Sequence, residues 1–407
     1  MWYRGAMIKR IGPVVFTLGL VSLLNDFASD MILPLIPAYM ATLPGGGAFL
    51  IGLMEGLAES VAAILKLVSG WLSDRSGKRG GFIAVGYTAA ALARPFMGLA
   101  THAFQVVGIR VVDRIGKGLR TSPRDAMIDA SAPKESRGLA FSFHRAMDHT
   151  GALLGPLAAT ILISAVGLGV RSVILLAFIP GILSLAPLAV ALVLARRQAA
   201  AGPAAKARSP FSFAGGAGLG RNFYFYISIC CLFTLGNSSD LFLLLRASEA
   251  GLEPQLLPVV WIVLHLSKIA LSVPAGMVSD RIGRKKPILA GWLVYAVTYL
   301  LVPYVGGTLQ IFLLFAFYGL YFAFTEGVER AFVSDLVPGD RKGTAFGMFN
   351  FAVAVGALPA SLVMGALYQW AGPRVAFGTG AALAFASSIG LLFVTEKRPV
   401  APERSNA

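Results

Sequence analysis

Apolar runs of about 20 residues or more recur along almost the whole chain, each bounded by a short polar loop. A run of that length crosses a hydrocarbon core roughly 30 Å thick as one helix. Backbone polar groups in lipid must be paired internally, which leaves helices and closed barrels as solutions. No run alternates with period two, so a barrel is excluded. The runs fall at 12–40, 48–72, 81–101, 104–124, 138–163, 171–195, 222–247, 256–279, 287–306, 309–333, 343–370 and 375–395. The expected fold is an all-α integral membrane protein with twelve transmembrane helices. Charged residues are only 14% of the chain, against about 25% in soluble proteins.

The net charge of +15 would suggest nucleic acid in a soluble protein. Here Lys and Arg collect in alternate loops, so no nucleic-acid partner is expected. Arg75, Lys78 and Arg79, then Lys134 and Arg137, then Arg281, Arg284, Lys285 and Lys286 lie on one side. The intervening loops ATLPGGG, THAFQ and VGGTLQ carry no Lys or Arg. That bias places both termini in the cytoplasm. The N-terminal run resembles a secretory signal, but no A-x-A-like cleavage site follows and it reads as a retained first span. The Ala/Gly/Pro-rich basic stretch 196–221 reads as a cytoplasmic linker between bundles at 1–195 and 222–407. Cys230 and Cys231 are adjacent and make a poor disulfide.

The two halves echo one another. GWLSDRSGKR at 70–79 matches GMVSDRIGRK at 276–285. RDAMIDASAPKESRGLAFSF at 124–143 matches RAFVSDLVPGDRKGTAFGMF at 330–349, and Gly151 then falls opposite Gly356. Ser29-Asp30 gives a weaker match to Ser239-Asp240. Two six-span halves related in this way are expected of a secondary transporter that rocks around a site between them. Gly70 and Gly276 are expected to permit close helix approach. Asp74 and Asp280 can accept from free N–H groups at a helix start, and Arg75 and Arg281 can pair with them or with a neighbour.

G-x-x-x-D-R-x-G-[KR]-[KR], present twice at equivalent positions, resembles the signature loop of the major facilitator superfamily. The resemblance implies two pseudo-symmetric six-helix bundles. It implies a cytoplasmic latch built from Gly70, Asp74, Arg75 and Gly77 and from Gly276, Asp280, Arg281 and Gly283. Asp74 would meet the start of span 11 near Gly343, and Asp280 the start of span 5 near Gly138. RVVDRIGKG at 110–118 is similar to the family's fourth-span motif, whose proton-linked arginine maps to Arg110. It departs by one extra residue and by Asp113 and Arg114. GALLGPLAAT at 151–160 is similar to the fifth-span motif of proton-coupled bacterial exporters. Gly151, Gly155 and Pro156 match, while Ala159 and Thr160 replace the final glycines. The branch implies a bacterial cytoplasmic membrane, a small-molecule substrate and protons as partners, a monomer, and no cofactor.

A charge at the bilayer centre costs at least about 2.5–3.5 kcal/mol, so such residues pair or line a path. Span 1 has Asp26 and Asp30, and span 2 has Glu55, Glu59 and Lys66, each set at helical spacing. FHRAMDH at 143–149 places His144, Arg145, Asp148 and His149 at the start of span 5. His144 and Asp148 share a stripe with Gly151 and Gly155. Asp240, His265, Lys268, Glu326 and Asn350 occupy spans 7, 8, 10 and 11, with Asn237, Tyr318 and Tyr321 beside them. These are the candidate cavity and proton-coupling residues, and Asp30 and Glu59 are the first candidates as proton carriers. Arg94, Glu329 and Arg330 read as structural pairs.

Three functions compete. Proton-coupled efflux of a small solute comes first, and import of a charged solute or metal chelate with protons second. For metal, His144 and Asp148 at i, i+4 could share one ion, with His149 or His265 added. Soft metals favour Cys and Met clusters, however, and no Cys-x-x-Cys or M-x-x-x-M is present. An intramembrane enzyme lacks H-E-x-x-H and G-x-S-x-G, so no catalytic residue is assigned.

Overall fold

The computed structural model describes residues 11–132, 137–200, 219–338 and 342–396. The regular structure among these residues is helical, with no strand. The helices are α1 (Pro13–Ala41), α2 (Ala48–Ser76), α3 (Arg79–Leu99), α4 (Ala103–Ser131), α5 (Arg137–Ser164) and α6 (Val170–Ala200). There follow α7 (Arg221–Glu249), α8 (Leu257–Ile282), α9 (Lys285–Leu301), α10 (Thr308–Leu336), α11 (Lys342–Ala371) and α12 (Pro373–Leu392). Internal packing divides the chain into two compact units, Met1–Phe211 with Glu253–Ile262 and Ser212–Leu252 with Val263–Ala407.

Among the described residues, eleven helices are long and apolar enough to cross a membrane. The exception is α4, which is 29 residues long but carries eight charged side chains from Arg110 to Asp129. Its buried residues include Arg110, Asp113, Arg114 and Arg120. A helix so charged is stable at membrane depth only if its neighbours neutralise it. It packs against α2 and α3, which supply the opposite charges described below.

In the first unit, α1 lies along α5. A Cβ added at Gly151 would sit 2.3 Å from Leu23 O, and one at Gly155 2.5 Å from Phe27 O. The two backbones therefore touch, as small residues allow in membrane bundles. In the second unit Gly356 of α11 faces α7 in the same way, where a Cβ would lie 2.8 Å from Thr234 Cγ2. The repeat is thus visible in packing as well as in sequence. Gly155→Leu is expected to lower the Tm of the purified protein by several degrees, whereas Gly108→Leu, with nothing within 4 Å of its added Cβ, leaves it unchanged. Equal effects at both positions would contradict the close approach.

The structure differs from the sequence reading within several spans. Span 7 is two helices, Arg221–Gly236 and Leu241–Glu249, rather than one. The break is Asn237-Ser238-Ser239-Asp240, four residues whose short polar side chains compete with helical hydrogen bonds. Ser239 Oγ accepts from Leu241 N at 3.3 Å, and Tyr295 Oη donates to the freed Gly236 carbonyl at 2.8 Å. Span 10 likewise breaks after Thr325 and resumes at Val328. Gly276, expected at a close helix approach, has nothing within 4 Å of an added Cβ among the described residues. Gly70 meets Ser122 Cβ at 3.2 Å. The two loops share a different use of glycine, since Gly77 (φ +68°) and Gly283 (φ +92°) turn the chain out of a helix in the left-handed region.

Candidate functional site

The polar side chains of the first unit form a network centred on α4. Arg94 of α3 donates from Nε to Asp113 Oδ1 at 2.9 Å, and through its other nitrogens to Asn25 O at 2.9 Å and Asn25 Oδ1 at 3.0 Å. Arg110 donates from Nε to Glu55 Oε1 at 3.0 Å and lies 3.5 Å from Asp113 Oδ2. These five side chains are all buried. The group contains two arginines and two carboxylates, so it is neutral in itself. Deep burial of matched pairs with further hydrogen bonds is the arrangement that offsets the cost of desolvation.

One turn further along α4, Arg114 Nε approaches Glu59 Oε1 at 3.9 Å. Arg120 stacks on Tyr87, with 4.4 Å from guanidinium carbon to ring centroid. Asp26 accepts from Asn25 Nδ2 at 2.8 Å. The Asp30 side chain makes no hydrogen bond or ion pair within 4 Å among the described residues. The charges acting on it are Asp26 from its own helix and Lys117, Arg114 and Arg110 from α4.

The span 5 cluster divides. His144 Nδ1 lies 3.5 Å from Asp148 Oδ2, and His144 is buried. Arg145 and His149 are exposed. Among the described residues no group of three His, Cys, Asp or Glu side chains converges to hold a metal ion.

The second unit is aromatic where the first is charged. Tyr295, Tyr299, Tyr318 and Tyr321 pack against one another, stacked or edge-on, at centroid distances of 4.1 to 6.0 Å. Their hydroxyls meet the broken part of α7. Tyr318 donates to Asp240 Oδ1 at 2.7 Å, Asn237 Nδ2 donates to Tyr321 Oη at 2.8 Å, and Ser238 and Tyr299 hydroxyls lie 3.1 Å apart. Lys268 Nζ sits 3.7 Å from the Phe322 ring centroid. Trp292 Nε1 donates to Glu329 Oε1 at 2.9 Å. His265 is half-buried on α8, while Glu326 and Asn350 are exposed.

In the first signature loop Asp74 is held by Arg79 Nη2 at 2.7 Å, and Arg75 lies over Trp71 at 5.4 Å. In the second loop Arg281 is exposed and Arg284 reaches Ser279 Oγ at 2.7 Å and Asp335 Oδ2 at 3.3 Å. The Asp280 side chain and those at the starts of α5 and α11 lie outside the described residues, and with them both expected latch contacts.

The sequence reading missed the extent of α4. Lys117, Arg120 and Arg124 continue its charged face, and their helical spacing was the available signal. It also missed Tyr295 and Tyr299, one turn apart on α9.

Twelve helices in two halves related by a repeat, with charged and polar groups at membrane depth, define a multi-pass carrier. The chain belongs to the Major Facilitator Superfamily, whose family model matches residues 18–267 and 262–407. It is thus a membrane transporter of that type. It is 34% identical over 392 residues to the uncharacterised MFS-type transporter MJ1317 of Methanocaldococcus jannaschii, covering 95% of this chain and 96% of the relative. The nucleoside transporter NupG (D323A mutant) shares the fold at a TM-score of 0.75 and 14% identity, covering 94% of this chain and 100% of NupG. The peptide transporter POT (E310Q mutant) does so at 0.74 and 15%, covering 93% of each chain.

Proposed function

We propose that the chain carries a small solute by proton-coupled alternating access, with Asp30 as the proton carrier and no enzymatic step. The observation that supports this is a contrast. Glu55 and Asp113 are each matched to a buried arginine, whereas Asp30, on the helix packed directly against α5, has no partner within 4 Å among the described residues. A carboxylate without a fixed counter-charge at membrane depth is the group that gains most from taking up a proton. Asp26, Glu59 and Asp148 surround the path as secondary carriers, and the two signature loops act as its cytoplasmic latch. The bundles at 1–195 and 222–407 move about the linker 196–221, with both termini in the cytoplasm of a monomer in the inner membrane.

Export is the first direction, supported by Gly151 and Gly155, the matching part of the exporter-like motif, seated on α1. Co-transport of proton and solute is the second, supported by the cations that α4 adds beyond its matched pairs. Inside-out vesicles separate the two, using ligands first found to stabilise the purified protein against heat. Export predicts uptake driven by an acid lumen. Co-transport predicts uptake driven by an acid bath. Uptake indifferent to either gradient would reject proton coupling.

A further inference from the structure

We infer that Lys66, Arg114 and Lys117 form the binding site for an anionic group, a carboxylate or a phosphate, on the transported solute. The inference rests on the carrier reading above and names the substrate class of that path.

The site follows from how α2 and α4 cross. A Cβ added at Gly118 would lie 2.5 Å from Leu65 Cβ and 2.9 Å from Ala62 O, so the backbones meet there. Ser69 Oγ donates to Gly118 O at 2.9 Å and Ser122 Oγ to Lys66 O at 2.8 Å, which fixes the crossing. Lys66 on one helix and Lys117 on the other flank that contact, and Arg114 is one turn from Lys117. The three cations act on one another across this crossing and share Glu59.

Their matching is incomplete. Arg94 and Arg110 already neutralise Glu55 and Asp113. Glu59 is acted on by Lys117, Arg114 and Lys66 together, while Asp125 also acts on Lys66 and Asp26 on Lys117. The Arg114 side chain is only 8% exposed, yet its Nε stands 3.9 Å from Glu59 and has no hydrogen-bond partner. A buried guanidinium donor left unmatched is costly, and a ligand oxygen would satisfy it. The Glu59 side chain is 45% exposed, so the cluster is open on one side rather than sealed.

The proton enters the same tally. The groups facing Asp30 are Asp26 on α1, Arg110, Arg114 and Lys117 on α4, and the α5 backbone at Gly155. With Asp30 ionised its charge offsets one of those cations. With Asp30 protonated that cation is released to a ligand anion. Anion and proton then bind together, so this site belongs to the co-transport direction and not to export.

The test uses the full-length protein in neutral detergent with benzoate, succinate and inorganic phosphate as probes, and benzamide and choline as neutral and cationic controls. At least one anion is expected to raise the Tm in a saturable way while the controls do not. Lys117→Gln is expected to weaken that apparent affinity at least tenfold, and Lys117→Arg to retain it. No stabilisation by any anion, or the same affinity in Lys117→Gln, overturns the inference. Stabilisation only by phosphatidylglycerol in nanodiscs also overturns it, because the anion would then be a lipid headgroup. Asp30→Asn separates this site from the carrier reading. Anion stabilisation should survive in that variant while proton-driven uptake is lost. In the wild-type protein, absence of anion binding with intact proton drive rejects the site alone. Intact anion binding in Asp30→Asn with proton-driven uptake unchanged rejects the carrier alone.

Discussion

Asp30→Asn is expected to reduce proton-driven uptake to the level of empty liposomes, and in the co-transport direction to leave solute exchange at equal pH close to wild type. Asparagine is nearly isosteric with a protonated aspartate and cannot release a proton. The substituted carrier therefore resembles a permanently loaded one. It can still exchange solute for solute, since that cycle moves no net proton, but it cannot return empty of its proton. The position tolerates the change in packing terms, because Asp30 contributes no ion pair within 4 Å to the described structure. Glu59→Gln is expected to be milder on proton drive and to alter solute affinity, because Arg114 loses the acid at 3.9 Å. If both variants keep a wild-type response to an imposed pH gradient, neither residue carries the proton.

The architecture was legible because membrane burial leaves a coarse mark. Apolar runs of the right length, and basic residues in alternate loops, follow from the solvent rather than from contacts. The mark fades at α4. RVVDRIGKG is polar taken alone, and it is stable at depth because Glu55, Glu59 and Arg94 arrive from two other helices. Nothing in the spacing of the chain assigns those partners. Arg110 was singled out for a resemblance, whereas its neighbours Asp113 and Arg114 were read as departures from a motif. The structure makes all three members of one network. The cluster in FHRAMDH shows the same limit from the other side. Four polar groups within six positions suggested one site, but helical geometry sends His144 and Asp148 inward and leaves Arg145 and His149 exposed.

The broken helix α7 carries a signal that was present but unread. Asn-Ser-Ser-Asp offers four consecutive side chains able to bond to backbone, a sequence better suited to a turn than to a helix interior. In a bilayer such a break is tolerated only where other groups take over the freed backbone. Tyr295 does so at Gly236, and the remaining tyrosines hold the side chains of the break. The two units thus use different chemistry at equivalent positions, arginine and carboxylate around α1 and tyrosine hydroxyls around α7.

Arg94→Met is expected to be the most destabilising single substitution in the first unit, at about 3–5 kcal/mol, the usual range for stripping one partner from a buried pair. Arg94 is 2% exposed and serves three acceptors on two other helices. Its removal leaves Asp113 with only the longer contact to Arg110 at 3.5 Å and leaves the Asn25 side chain without its donor. The double variant Arg94→Met/Asp113→Leu should recover a large part of the loss, since it removes the stranded charge along with its partner. An exposed pair supplies the scale. Asp335→Asn breaks the contact with Arg284 at 3.3 Å, where the acid is 53% exposed, and should cost under about 1 kcal/mol. Thermal unfolding of the four proteins in one detergent measures all of these differences. A loss in Arg94→Met no larger than that in Asp335→Asn would mean that water reaches the network. The charged face of α4 would then be a hydrated wall and not the buried frame that holds α1, α2 and α3 in place around Asp30.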